Sequence, residues 1–234
     1  MFCAYCGEPI LGASGFCHGC GARISAAPLG MDARTRPAGL LRRIENIVVA
    51  PATEWPFIAS ESASPRELYV GYVAPLAAIG VVASFVGRLL LASPAERLGT
   101  ALVHAILSYV LCFLGVSLVA LIVDLLAPRF GGRRDAPAAL RLIAYGFTPG
   151  WIAAAFNLVP ALNVLSVLGA VYGAYVVYRG LPVLMRCPIA KAGGYAVVAL
   201  LCAIATWAVL AALAMCGAAG IDVLVGDSAP RMGA

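Results

Sequence analysis

The chain has 234 residues, of which 62% are hydrophobic and 12% are charged, with a net charge of +5. Soluble globular proteins carry about 25% charged residues, so this composition, with a mean hydropathy of +0.95, excludes an ordinary soluble domain and indicates an integral membrane protein. The positive charge comes from arginines and one lysine, Lys191, that flank apolar stretches, an arrangement that reflects membrane topology rather than nucleic-acid binding.

The N-terminal stretch, residues 1–24, contains two Cys-x-x-Cys-Gly pairs. Each pair forms a tight turn that directs two thiolates at one ion, and two pairs give the tetrahedral four-sulfur shell typical of structural zinc. A domain this short buries too little apolar surface to fold unaided, so the metal would stabilise it. The spacing predicts a zinc ribbon with zinc as cofactor, and iron in a rubredoxin-like site or a redox pair are the alternatives. The predicted ligands are Cys3, Cys6, Cys17 and Cys20.

The predicted ribbon lacks the features of a catalytic or nucleic-acid-binding module. Four thiolates close the metal shell and leave no open coordination position. His18 lies inside the second cysteine pair, where the geometry disfavours it as a ligand, and Arg23 is the only basic residue of the ribbon. We therefore expect no nucleic-acid partner.

Residues 25–66 are predicted to be a linker with an amphipathic helix. After an alanine- and proline-rich stretch, the segment Leu40–Val48 places its apolar residues on one helical face and Arg42 and Arg43 on the other. This pattern fits an interfacial helix with its arginines toward anionic lipid, or an ordinary helix packed against the bundle. Pro51 ends the helix, and Thr53–Phe57 begins a second short one with aromatic residues that favour the membrane interface.

The membrane domain is predicted at residues 67–220, followed by a tail at residues 221–234. Ser64 and Glu67 form a capping box that starts its first helix. The expected fold class is all-α, a polytopic helical membrane bundle of five spans preceded by the four-cysteine ribbon. The predicted spans are Tyr69–Leu91, Leu98–Leu126, Leu142–Val159, Ala161–Tyr178 and Tyr195–Met215.

The third predicted span contains a proline break. Pro149 has no N–H and crowds the carbonyl of Tyr145, so the helix should kink there and leave backbone groups that another group must satisfy. Thr148 beside the break, with Tyr172 and Tyr175 on the next helix, are candidate membrane-domain residues that line a cavity or fill space. The third and fourth helices have 18 residues each, about 27 Å at 1.5 Å per residue against about 30 Å of hydrocarbon. A re-entrant hairpin is therefore an alternative to two full spans.

The basic residues predict the orientation. Thirteen of the sixteen lie before the first span, after the second or after the fourth, whereas Arg97 and Arg231 lie on the other side and Arg88 lies within a span. Because basic loops stay in the cytoplasm, the N-terminus should be cytoplasmic and the C-terminus outside. Low lysine with high alanine and arginine indicates a GC-rich prokaryotic genome, and so the cytoplasmic (inner) membrane.

Few polar residues within the spans are candidates for chemistry. Arg88 and His104 lie near the outer ends of neighbouring spans and are candidates for a proton or ion relay, for snorkelling, or for a plain hydrogen bond. Asp124 lies near the cytoplasmic boundary, where pairing with Arg129 or Arg133 is expected. No catalytic set of residues is visible, so we do not expect an enzyme.

Two further patterns concern packing. Asn157 and Asn163 bracket the turn at Pro160 and are expected to cap it. The spacing of Gly169 and Gly173 permits close helix approach, inside the chain first and in a homo-oligomer second.

The pattern and several motifs resemble the membrane domain of the Yip family (Ypt/Rab-interacting proteins), particularly its prokaryotic members. The matching pieces are the run Tyr145-Gly-Phe-Thr-Pro-Gly-Trp151, Pro160 in the turn, and Tyr172 and Tyr175 followed by Gly180 and Pro182. The resemblance covers Ile44 to Met215. This resemblance implies five membrane spans. It also implies a non-enzymatic membrane adaptor or organiser, which here would recruit a cytoplasmic protein partner through the ribbon. Eukaryotic relatives bind small GTPases in vesicle traffic. The alternative function is a small conduit or transporter that uses the kinked third span.

Overall fold

The computed structural model describes residues 39–61, 63–91 and 98–227, and all regular structure in this part is helical. The predicted zinc ribbon, with Cys3, Cys6, Cys17 and Cys20, and the linker up to residue 38 lie outside the described residues. Two short helices come first, α1 (Leu40–Val49) and α2 (Pro51–Ser60). The remaining helices are α3 (Pro65–Leu68), α4 (Ala74–Leu91), α5 (Leu98–Leu126), α6 (Ala136–Gly146), α7 (Thr148–Ala153), α8 (Asn163–Leu184) and α9 (Ile189–Asp227).

Four helical segments of the described chain are long and apolar enough to cross a membrane, which makes this a multi-pass membrane protein. They form a bundle with α1 and α2 against one end, which we call the N-terminal face; the other end, where α4 finishes, is the opposite face. The four segments are Pro65–Leu90, Leu98–Phe130, Asn163–Leu184 and Ile189–Gly217.

The first segment begins at the predicted capping box. Ser64 N–H donates to the Glu67 carboxylate, and Glu67 N–H donates to the Ser64 hydroxyl. A π-helical turn at Tyr69–Val73 then joins α3 to α4 immediately before Pro75. The wider turn lets Ala74 N–H donate to the carbonyl of Tyr69, five residues back. Tyr72 and Val73 of this turn are buried in the core.

The third predicted span is not among these four segments, and it is two helices rather than one kinked helix. We call residues 136–162 the third segment and α8 the fourth, in the order of the predicted spans. Asp135 caps α6 through a hydrogen bond from Ala138 N–H at 3.0 Å, and α6 ends at Gly146. A new helix, α7, then begins at Thr148 with Pro149 in its first turn. A proline fits there because the first N–H groups of a helix have no intrahelical partner. The predicted helix Leu142–Val159 is therefore wrong in its bounds, since Pro149 starts a helix instead of bending one.

After α7 the chain continues in 3₁₀ turns at Ala154–Leu158 and Pro160–Leu162. These turns rise about 2.0 Å per residue, more than an α-helix does. They run alongside α4: a Cβ added at Gly80 would lie 2.8 Å from that of Ala154, and one added at Gly87 would lie 2.5 Å from the Leu158 carbonyl oxygen. The third segment thus reaches the last turns of α4, at the opposite face.

Glycines on α8 let it pack closely against the third segment. A Cβ added at Gly169 would lie 2.8 Å from the Pro149 carbonyl oxygen, and one added at Gly173 would lie 3.1 Å from that of Gly146. Both glycines therefore serve packing within the chain, the first of the two roles expected for them.

The last two long helices extend beyond their predicted ends. Helix α8 starts at Asn163 and continues through Pro182 to Leu184, where the sequence predicted 161–178. Its 22 residues span about 33 Å at 1.5 Å per residue. Helix α9 runs from Ile189 to Asp227, where the sequence predicted 195–215.

Candidate functional site

A buried ion cluster lies at the N-terminal face. Arg43 of α1 donates to the Glu54 carboxylate of α2 at 2.7 Å and also pairs with the carboxylate of Glu61. The Arg43 guanidinium carbon lies 5.5 Å from the centroid of the Tyr145 ring, close enough for a cation–π contact. Arg43 is only 8% exposed, so it does not point toward lipid headgroups as the predicted face of α1 required.

The charges of this cluster are mutually compensated. Burial alone lowers the pKa of the Arg43 guanidinium, but the hydrogen bond and charge of Glu61, with the charge of Glu54, raise the pKa above its usual value. Breaking a buried ion pair by removing one partner costs about 3–5 kcal/mol, because the other charge stays buried without compensation. The cluster therefore fixes α1 against α2.

Three further hydrogen bonds attach α1 and α2 to the bundle. The Tyr172 hydroxyl of α8 donates to the Val48 carbonyl at 2.7 Å. The indole N–H of Trp55 in α2 donates to the Val176 carbonyl of α8 at 3.1 Å, and Trp55 is only 1% exposed. The guanidinium of Arg141 in α6 donates to the backbone carbonyl of Glu61, just after α2. We call α1 and α2 the docked helix pair.

The approach of Trp55 to α8 depends on Gly180. A Cβ added at Gly180 would lie 2.7 Å from the Trp55 ring, so only glycine leaves room for the indole to reach the Val176 carbonyl. Trp55 and Val176 are far apart in the sequence, and the sequence alone predicts an interfacial position for Trp55. The structure instead places Trp55 in the core.

Thr148 is the centre of a second buried polar group. Its hydroxyl is buried and donates to the Tyr145 carbonyl at 2.6 Å. The Tyr72 hydroxyl lies 2.7 Å from Thr148 Oγ1 and donates to it, because the Thr148 proton is already engaged. The rings of Tyr72 and Tyr145 meet edge to face, with centroids 4.6 Å apart.

This arrangement shows which group satisfies the backbone carbonyl at the proline break. Pro149 follows Tyr145 by four residues and has no N–H to donate to its carbonyl. The Thr148 hydroxyl supplies that missing hydrogen bond, so the carbonyl is satisfied within the bundle.

A cavity of about 680 Å³ lies between α4, α5, α7, α8 and α9, on the side of the Thr148 group toward the opposite face. Its walls are mostly small and apolar, with the indole rings of Trp151 and Trp207 among them. Arg88 and His104 line it near the end of α4, with Arg88 Nη2 3.4 Å from His104 Nε2. The other polar residues of the lining are Ser84, Ser108, Asn157 and Ser166.

Some of the candidate residues predicted from the sequence line the cavity, and others do not. Arg88 and His104 face one another in the cavity wall, and Gly150 beside the break also lines it. Tyr145, Thr148, Pro149, Tyr172 and Tyr175 are not part of the lining. Of the two tyrosines on α8, Tyr172 bonds to α1, and Tyr175 is 46% exposed on the outside.

Asp124 and Asn157 have other partners than those expected. The Asp124 carboxylate accepts a hydrogen bond from Arg134 Nε at 3.0 Å, whereas the sequence pointed to Arg129 or Arg133. Asn157 does not cap the turn at Pro160; its side-chain oxygen accepts from the Ser166 hydroxyl at 2.7 Å. Ser166 thus connects α8 to the end of the third segment.

Sequence reasoning missed Arg43, Glu54, Glu61, Trp55 and Tyr72 as members of the buried network. A signal for Arg43 was available. It is three residues after Leu40 and four before Ile47, so it shares a helical face with these apolar side chains. Two acidic residues soon after α1, at positions 54 and 61, were available to compensate it.

Comparison with known proteins identifies a family. A family model described as the Yip1 domain matches residues 46–210, well over half of the chain. The matched range contains α2 to α8, all of the cavity wall and the Thr148 group, and it begins three residues after Arg43 of the ion cluster. No curated protein and no solved structure matches the chain.

Proposed function

The chain belongs to the Yip1 domain family, and from this membership we propose that it is a non-enzymatic membrane adaptor or organiser. In this proposal a zinc ribbon at residues 1–24, with Cys3, Cys6, Cys17 and Cys20 as ligands, recruits a protein partner at the cytoplasmic surface. The family is one of non-enzymatic membrane proteins, which supports the first half of the proposal.

The docked helix pair is the observation that carries the adaptor role. A free amphipathic helix would let the N-terminal residues move over the lipid surface, whereas α1 is held by Arg43, Glu54 and Tyr172. Any module attached before Leu40 therefore starts from a fixed point on the bundle. A fixed starting point suits an adaptor, because it keeps a tethered module within one linker length of a defined place on the bundle.

Five spans remain our proposal for the membrane domain, with the N-terminus in the cytoplasm and the C-terminus outside the cytoplasmic membrane. The third segment starts near the N-terminal face, where Asp124 pairs with Arg134, and ends beside Gly87 at the opposite face. This path supports a full crossing over a re-entrant hairpin. The excess of basic residues in the loops of the N-terminal face supports the orientation.

A conduit through the broken third segment is the second candidate, and the cavity beside Gly150 is the observation that favours it. Against it, the Thr148 hydroxyl and the Tyr145 carbonyl bond each other instead of lining a passage. Tyr72, Thr148 and Tyr145 are all buried on the cytoplasmic side of the cavity, so they close that end. We therefore favour the adaptor.

The experiment is partner capture by in-cell cross-linking with the full chain and three variants. Deleting residues 1–24, or replacing Cys3 and Cys17 by serine, should abolish the same cross-linked partner. The matched control Arg88→Gln changes a charge in the cavity and should retain that partner. Undiminished capture by the chain that lacks residues 1–24 would refute the adaptor. Solute flux in vesicles that is abolished by Ala105→Leu, which fills the cavity, would establish the conduit instead.

A further inference from the structure

The cavity has a polar end and an open side, and these two features together indicate a ligand. The polar end lies at the opposite face, where Arg88 of α4 and His104 of α5 line the wall. The open side lies between α8 and α9, because Leu200 and Ile204 line the cavity while they are 41% and 56% exposed. A molecule can therefore enter laterally from the acyl-chain region of the bilayer.

The size and chemistry of the cavity fit a ligand site. Its volume of about 680 Å³ falls within the range of about 300–1,000 Å³ found for ligand pockets, which are also mostly apolar with a few convergent polar groups. The polar residues of the wall are not spread evenly. Arg88, His104 and Asn157 belong to the part of the wall near the end of α4 and the 3₁₀ turn Ala154–Leu158 of the third segment. The rest of the wall is apolar apart from serine hydroxyls.

The depth of the arginine matches the depth of a headgroup. Arg88 lies in the last turn of α4, at the level where a span leaves the hydrocarbon. A guanidinium is planar with five N–H donors, so Arg88 can keep its existing neighbours and still bind a phosphate or carboxylate oxygen. From that position an acyl chain would pass down the cavity between Trp151 and Trp207.

We propose that this cavity binds an anionic amphiphile of the outer leaflet, with its headgroup at Arg88 and His104 and an acyl chain inside the bundle. The shared chemistry is a negative oxygen head joined to an apolar chain, which both an anionic phospholipid and a free fatty acid possess. This site is separate from residues 1–24, so it does not depend on the adaptor role.

Two tryptophans in the cavity wall make the proposal measurable in the full-length protein. Bromine atoms on an acyl chain quench tryptophan fluorescence on contact, and Trp151 and Trp207 would report a chain in the cavity. Trp55 is buried at the N-terminal face and gives a constant background. The probes are brominated phosphatidylglycerol, brominated phosphatidylcholine and dibromostearate, each titrated into vesicles of unbrominated phosphatidylcholine that contain the protein.

We expect an anionic probe to quench the fluorescence at about tenfold lower mole fraction than brominated phosphatidylcholine does. A tenfold difference in affinity is about what one charge-assisted hydrogen bond contributes. Arg88→Gln should remove this preference, and Arg179→Gln, an exposed charge outside the cavity, should keep it. Ala105→Leu fills the cavity without a charge change and should weaken quenching by every probe.

A preference for phosphatidylglycerol alone identifies the ligand as a phospholipid, and one for dibromostearate alone identifies it as a fatty acid. Equal quenching by all three probes, or an unchanged preference in a folded Arg88→Gln protein, would overturn the proposal.

Discussion

The hydroxyl of Thr148 lies 2.6 Å from the carbonyl oxygen of Tyr145, where it replaces the hydrogen bond that Pro149 is unable to donate. The same hydroxyl accepts a hydrogen bond from Tyr72 of the π-helical turn. One side chain thus satisfies the broken backbone of the third segment and joins that segment to the first span.

This relationship predicts that Thr148→Val destabilises the protein. The substitution keeps the shape but leaves the Tyr145 carbonyl and the Tyr72 hydroxyl without this partner in a buried site, at about 1–3 kcal/mol for each group. Thermal unfolding in detergent measures the effect, with Thr148→Ser as the control that keeps the hydroxyl. A Thr148→Val protein as stable as the wild type would show that the bonds contribute little.

The ion cluster predicts that replacing Arg43 strongly lowers the stability of the protein. Arg43→Leu leaves the buried Glu54 carboxylate uncompensated, at a cost of about 3–5 kcal/mol. Unfolding and limited proteolysis between α2 and α3 should both report loss of the docked helix pair. The matched control is Arg42→Leu, an exposed neighbour that should change little. Adding Glu54→Gln to Arg43→Leu should recover part of the lost stability. A double variant that is less stable than Arg43→Leu alone would contradict the pairing.

The zinc prediction rests on the sequence, because its residues lie outside the described part. We expect about one zinc per chain on elemental analysis, since a four-thiolate shell satisfies the ion. Cys17→Ser should lose the metal, and Cys216→Ser, at an exposed cysteine of α9, should retain it. Iron at the same stoichiometry, or no metal after purification without chelators, would contradict a zinc ribbon.

Thiol labelling in intact cells tests five spans against a re-entrant hairpin. With Cys216 replaced by serine, an impermeant maleimide should label Ala161→Cys and Ser228→Cys, because the proposed five spans place the end of the third segment and the C-terminus outside. Glu45→Cys on α1 should be protected until the cells are opened. If Ala161→Cys stays unlabelled while Ser228→Cys reacts, the third and fourth segments form a hairpin within the membrane.

Much of the helix pattern could be predicted because it depends on local sequence. The predicted helix Leu98–Leu126 matches α5, and the capping box at Ser64 and Glu67 is confirmed. The Yip family resemblance is also confirmed, by the match over residues 46–210. These features depend on composition, on turn chemistry and on short motifs, all of which can be recognised from the local sequence.

The errors arose where distant residues decide the outcome. Arg43 turns inward because Glu54, Glu61 and the Tyr145 ring compensate its charge, and none of these contacts is visible in the pattern of α1 alone. The helix break before Pro149 is stabilised by the Thr148 hydroxyl, which bonds the Tyr145 carbonyl and is itself held by Tyr72, 76 residues earlier in the chain. The cavity could not be predicted either, since its wall combines small residues from five helices that only tertiary packing brings together.

The most direct test of the account is whether α1 is held on the bundle, as the adaptor proposal requires. Spin labels at Glu45→Cys on α1 and Arg179→Cys on α8, both exposed positions, report their separation by pulsed electron paramagnetic resonance in lipid vesicles. The contacts of Arg43, Trp55 and Tyr172 predict one narrow distance distribution that does not change with the anionic lipid content. A broad distribution that shifts as anionic lipid is added would show that α1 moves freely on the membrane surface, and it would contradict the account.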